Sequence, residues 1–151
     1  LIYICPNMQN IKFLGTSNHF LNKTAVSSML LSFASSEGFE VDNIEYNFVD
    51  SKKMYSLNKD YLDHTTDTDI ITFDYSENKT ISAEVYISKD MMIENAKENS
   101  QMPENECLRL VSHALFHCMG YKDKSPNEKK TMRLKEEEFI SAVSRETKLD
   151  V

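Results

Sequence analysis

The sequence predicts an α+β domain in which a small mixed β-sheet of about four strands is covered by helices, residues 1–151 forming one unit. Three observations carry this expectation. With 151 residues and 40% hydrophobic content, the chain can bury about two thirds of its unfolded surface around one core. No linker, repeat or low-complexity segment divides it. Strand patterns come first and helix patterns last, the order expected of one sheet packed under helices.

The elements follow from periodicity. A short strand is placed near Ile11–Leu14, and Val26, Met29, Leu30 and Phe33 form a helical stripe within Thr24–Glu37 that ends before Gly38. Ile44–Val49 alternates as a half-buried strand, Ser51–Asn58 suits a short helix, and Ile70–Phe73 and Ile81–Ile87 read as two further strands. Helices are expected at Lys89–Glu98, Glu104–Met119 and Pro126–Ser144, the last opened by Ser125 as N-cap with proline at the first helical position.

Composition narrows the setting. No apolar run approaches the roughly 18 residues needed to span a bilayer, and the Leu1–Cys5 start lacks the charged region and cleavage site of a secretory signal. A cytoplasmic protein with no membrane association is expected. Cys5, Cys107 and Cys118 form neither a C-x-x-C pair nor an even disulfide framework, which suits a reducing compartment. Cys118 reads as a core residue. The net charge of −7 argues against phosphate-backbone binding by the whole surface. However, Lys122, Lys124, Lys129, Lys130, Arg133 and Lys135 crowd one segment with only Asp123 and Glu128 among them. That segment reads either as a local phosphate-binding patch or as a solvated helix face balanced by Glu136, Glu137 and Glu138.

The chemistry concentrates in His113-Ala-Leu-Phe-His117-Cys-Met-Gly120-Tyr-Lys-Asp123. Residues four apart share a helical face, so both imidazoles can reach one ion. Gly120 permits a left-handed helix end that turns Asp123 back toward the histidines. Three protein ligands leave zinc an open position where a water can be acidified to a pKa of about 7. An i,i+4 histidine pair is often coincidental, but the apolar run Cys107–Phe116 implies a buried helix where unpaired imidazoles would be costly. His19 and His64 sit in polar stretches and read as surface residues. Metalloproteases of the H-E-x-x-H type carry their general base directly after the first histidine, where this chain has Ala114, which disfavours peptide hydrolysis by that route.

This segment resembles the H-G-x-L-H-L-x-G-Y-D-H signature of the YbeY family of bacterial metal-dependent endoribonucleases. Two further blocks agree in order. Leu57-Asn58-Lys-Asp-Tyr61 followed by Thr68-Asp69-Ile70-Ile71-Thr72-Phe73 is similar to the family's L-N-x-x-Y-R-x-x-D-x-P-T-D-V-L-S-F, and Ala83–Ser88 is similar to G-D-I-x-I-S. The likeness spans residues 40–143. It implies the same α+β architecture, a metal site on a central helix, and endonucleolytic cleavage of single-stranded RNA in the maturation of ribosomal RNA at the 16S 3′ end and in ribosome quality control. Small-subunit ribosomal proteins are implied as further partners.

The departures are specific. Asp123 stands where the family has a third histidine, Ala114 where it has glycine, Lys122 where it has aspartate, and Leu62 where it has arginine. Zinc accepts a carboxylate, although an anionic ligand shifts preference toward manganese or magnesium. The expected site is therefore His113, His117 and Asp123, as catalytic residues and as ligands of one zinc ion per chain. Arg109 is expected either to orient phosphate or to pair with Glu106, Asp69 and Thr72 to line the cleft or bond the ligand loop, and Glu84 to be an alternative general base if it faces the site. Tyr121 and Phe73 stack on bases or pack in the core. Two other readings stay open: a metallohydrolase of another substrate class, and a non-catalytic ribosome-assembly partner with a structural metal, which Leu62 favours.

Overall fold

A computed structural model describes residues 10–16, 21–62 and 68–149. The elements in order are β1 (Ile11–Leu14), α1 (Lys23–Ser36), β2 (Glu40–Val49), α2 (Ser51–Leu62), β3 (Ile70–Asp74), β4 (Thr80–Ser88), α3 (Lys89–Glu98), α4 (Pro103–Cys118) and α5 (Pro126–Leu149). The strands form a four-stranded mixed sheet in the order β1-β2-β4-β3. β1, β2 and β4 run parallel, and β3 is antiparallel to β4. The expected α+β class holds. Strands and helices interleave through the first half, because each parallel pairing needs a crossover and α1 and α2 supply part of these connections.

Alternation fixes what each sheet face meets. On β4, Ile81, Ala83, Val85 and Ile87 are all at or below 1% exposure and pack with β2 and the helices into the main core. The opposite face is covered at one corner by α2, where Met54 and Leu57 meet Ile71, Phe73 and Tyr86. β2 is four residues longer than its clearest alternation suggests, and its register shifts between Val41 and Asn43, which masks the period-two signal there.

α4 carries the candidate metal motif and is seated on the sheet by a polar tie as well as by apolar contact. Tyr46 of β2, fully buried and stacked on Phe13 at 5.1 Å, donates its hydroxyl to the Val111 carbonyl at 2.9 Å. Leu110, Val111, Ala114, Leu115 and Phe116 lie in the core beneath it. The helix ends as expected: Gly120 adopts φ +100°, its N–H bonds the His117 carbonyl at 3.0 Å, and the Tyr121 N–H reaches back to Phe116 at 3.0 Å. α5 opens at Ser125, whose Oγ accepts from the Glu128 N–H at 3.1 Å while Glu128 Oε1 accepts from the Ser125 N–H at 2.9 Å. This is a reciprocal capping box. Among the described residues no helix is long and apolar enough to cross a membrane.

Candidate metal centre

The reversal at Gly120 does bring Asp123 back over α4. Asp123 Oδ2 lies 3.4 Å from His113 Nε2. Two ligands of one tetrahedral zinc with bonds near 2.0–2.1 Å stand about 3.3 Å apart, so this pair fits the edge of such a site. The other ring nitrogen, His113 Nδ1, lies 2.8 Å from Glu136 Oε2. Glu136 comes from α5 and is 2% exposed. A carboxylate at Nδ1 selects the tautomer with the proton there, leaving the Nε2 lone pair directed at Asp123.

His117 stands apart from this pair. It is exposed one turn further along α4, and among the described residues no group of three or more His, Cys, Asp or Glu side chains is gathered at metal-holding distances. Two of the three expected ligands therefore converge, and the third lies on the same helix with its side chain free in solvent. His19 and His64 lie outside the described residues, as does the Leu62 side chain.

Arg109, one turn before His113, is committed to protein carboxylates. Its Nε lies 3.0 Å from both Glu106 oxygens, its Nη2 also bonds Glu106, and Nη1 and Nη2 stand 3.6 Å from Glu136 and 3.8 Å from Asp69. Burial opposes its charge, but the bonds to Glu106 and the nearby Glu136 and Asp69 outweigh that and hold the guanidinium more firmly protonated than usual. Asp69 Oδ2 also accepts from Asn95 of α3 at 3.2 Å. Asp69, Thr68, Arg109, His113 and Asp123 wall a cavity of about 360 Å³ beside the histidine. Three carboxylates, Glu106, Glu136 and Asp69, thus share one permanent cation, Arg109, and a fourth, Asp123, stands beside them at His113. That surplus of negative charge in a half-enclosed cleft suits a divalent ion.

Other expectations are corrected or narrowed. Glu84 is on the sheet face opposite α4, where it accepts the Tyr86 hydroxyl at 3.4 Å, and it takes no part in the site. Phe73 meets Tyr86 edge-on at 6.0 Å, and Tyr121 meets Phe116 at 5.6 Å, so both aromatics pack rather than present open faces. Tyr121 further donates to Glu37 at 2.9 Å, and Lys135 completes that clasp 3.6 Å from Glu37. Burial, then the bond to Glu37, raises the Tyr121 phenol. Thr72 lies on β3 but does not wall the cavities at His113. Ala114 is 1% exposed and packs in the core, so this chain has no general base directly after His113. Burial pushes the Cys107 and Cys118 thiols up to about 12, consistent with core packing and not with ligation.

Glu136 escaped the sequence reading, which counted it with Glu137 and Glu138 as solvated charge. A signal was present: Met132, Glu136, Phe139 and Val143 form one helical stripe, and a carboxylate inside such a stripe must find a buried partner.

Comparison with known proteins agrees with this architecture. Residues 9–144 match the family model described as Endoribonuclease YbeY, a longer span than the motifs alone suggest. A protein named Endoribonuclease YbeY from Flavobacterium johnsoniae is 37% identical over 120 residues, covering 80% of this chain and 86% of the relative. Its namesake from Flavobacterium psychrophilum is 42% identical over 115 residues, 76% and 79% of the two chains. The solution structure of TM1509 from Thermotoga maritima superposes with a TM-score of 0.68 at 24% identity, covering 93% of each chain, a likeness of fold. The family model and these relatives, each matched over most of its length, establish that the chain belongs to the YbeY family of endoribonucleases, hydrolases that act on RNA.

Proposed function

We propose that the protein is a zinc-dependent endoribonuclease that cuts single-stranded RNA, with the 3′ end of small-subunit (16S) ribosomal RNA as substrate, in ribosomal RNA maturation and ribosome quality control. Relatives named endoribonuclease support the reaction class. The observation that carries the metal chemistry is His113, oriented at Nδ1 by buried Glu136 and facing Asp123 across 3.4 Å.

In this reading His113, His117 and Asp123 would hold the ion, His113 and Asp123 already facing each other and His117 lying one turn further along α4. A bound zinc supplies Lewis acidity, which acidifies water and offsets charge developing on a phosphoryl oxygen. Glu136 keeps His113 in the ligand tautomer and retains the Nδ1 proton. Asp69 Oδ2 is occupied by Asn95 and Arg109, which leaves Oδ1 to take the proton of the attacking water. Arg109 stiffens the carboxylates and is not available to the substrate. The aspartate ligand makes manganese or magnesium alternatives to zinc.

The test is cleavage of a single-stranded fragment from the 3′ end of small-subunit ribosomal RNA by wild type, His117→Ala and Asp69→Asn, each with and without chelator. Loss of cutting with His117→Ala and with chelator is expected, whereas Asp69→Asn should lower kcat while zinc still binds. If wild type binds zinc tightly yet cuts nothing, the reading of a non-catalytic assembly partner with a structural metal replaces this one. That outcome would fit Leu62, which stands where the family has arginine.

A further inference from the structure

Six cations crowd residues 122–135, and the structure sorts them. Lys135 is spent on Glu37 and Glu138, at 3.6 and 3.7 Å, with its ammonium also 5.6 Å from the Tyr121 ring centre. Lys122, Lys124 and Lys130 do not wall either cavity that His113 walls. Lys129 and Arg133 do. They line a cavity of about 170 Å³ together with His113, Asp123, Met132 and Glu136. Both are exposed, and among the described residues neither side chain has a hydrogen-bond or ion-pair partner. Of the carboxylates that line this cavity, Asp123 faces His113, and Glu136 faces His113 and Arg109; Glu137, which walls the next cavity along with Arg133, is exposed. Arg133 also walls the adjoining cavity of about 320 Å³ between α4 and α5, which reaches Asn105 and Gln101. It therefore stands where the cleft at His113 opens into the groove beyond.

We propose that Lys129 and Arg133 are the substrate-positioning residues of this enzyme. They hold neighbouring phosphates of a single RNA strand that runs along the α4–α5 groove from Asp123 toward Asn105. This rests on the reading of the protein as an RNA endonuclease. The planar guanidinium of Arg133 suits bidentate phosphate contact, and Lys129 adds a point charge one helical turn away on the same face. Two solvated cations without internal partners, beside a cleft of surplus negative charge, explain how a protein of net charge −7 can still admit a polyanion at one place. The contact is local, not a property of the whole surface.

The test uses the full chain and a labelled, 2′-O-methylated single-stranded oligoribonucleotide, which binds without being cut. Its affinity is followed by fluorescence anisotropy across a salt series. Lys129→Gln with Arg133→Gln should weaken binding roughly tenfold or more and reduce the slope of log K against log salt by about 1.4, since each phosphate contact on a single strand contributes about 0.7. Lys52→Gln with Lys53→Gln, exposed on α2, removes the same formal charge and should leave the slope unchanged. Arg133→Lys should recover part of the affinity. Equal slope changes in the two double variants, or none in the cleft variant, would overturn the proposal. If wild type binds the strand through these residues but cleaves no RNA with any metal, the endonuclease reading fails while the assignment of Lys129 and Arg133 to the phosphates of a single RNA strand survives. A wild type that binds no single strand overturns both.

Discussion

The two faces of α4 are held in place by opposite physics. The inner face, with Leu110, Val111, Ala114, Leu115 and Phe116, lies against the sheet and α1 and is governed by volume. The outer face, with Glu106, Arg109 and His113, meets α5 and the loop after α4, and is governed by pairing. On the inner face every neighbour contributes a little, and a volume-conserving swap is tolerated. On the outer face each partner is specific, and removing one strands a charge. The lesson is that the same helix can be conservative in its core and exacting in its cleft, and that the two can be perturbed separately.

The comparison is broken most forcefully from the inner side. Phe116→Ala, at a site fully buried against Phe33 and Tyr121, should cost about 3–5 kcal/mol by thermal or denaturant unfolding. Zinc affinity of the fraction that remains folded should change little. A large loss of affinity there would show that the two faces are not separable. Glu136→Ala attacks the outer side: it leaves Arg109 and His113 without a shared carboxylate, at a cost of about 3 kcal/mol. It should also weaken zinc binding about 10–100-fold, read by competition with a chromophoric chelator. Glu136→Gln, which preserves shape, separates the two effects. Should both variants bind zinc like wild type, Glu136 does not orient the ligand.

A smaller effect is expected where the faces meet. Tyr121→Phe removes the hydroxyl bond to Glu37 and should cost about 1 kcal/mol while leaving zinc affinity intact. A change in affinity would mean that the clasp with Lys135 sets the position of Asp123. The smallest effect is an absence of reaction. With thiols raised to about 12 by burial, Cys107 and Cys118 hold far less thiolate at neutral pH than a free cysteine does. Reactivity should rise only as the pH climbs toward that value. Peptide-resolved alkylation at pH 8 should find both unmodified in the folded protein and modified after unfolding.

Most element boundaries were legible because they rest on local signals: alternation in β4, the stripe in α1, Ser125 and Pro126 at the start of α5, and Gly120 at the end of α4. The approach of Asp123 to His113 was equally legible, since it depends on a helix end and a short reversal within ten residues of chain. The order of the strands, β1-β2-β4-β3, and which neighbours run parallel were not, because pairing is decided by distant segments and not by their own periodicity. The side of the sheet to which Glu84 belongs was not legible either. Alternation says which residues share a face, but only the packing of α4 says which face holds the site.

By itself, then, the sequence determined the helix that bears the histidines, the turn that returns Asp123, and the kind of chemistry those groups permit. Only the tertiary structure decided that Glu136, twenty-three residues beyond His113, fixes its tautomer, that Arg109 is consumed by carboxylates, and that Lys129 and Arg133 of the six clustered cations face the cleft. The physical reason is range. Caps, turns and i,i+4 contacts are set by neighbours along the chain, whereas the partner of a charge is set by which helices the burial of apolar surface brings together.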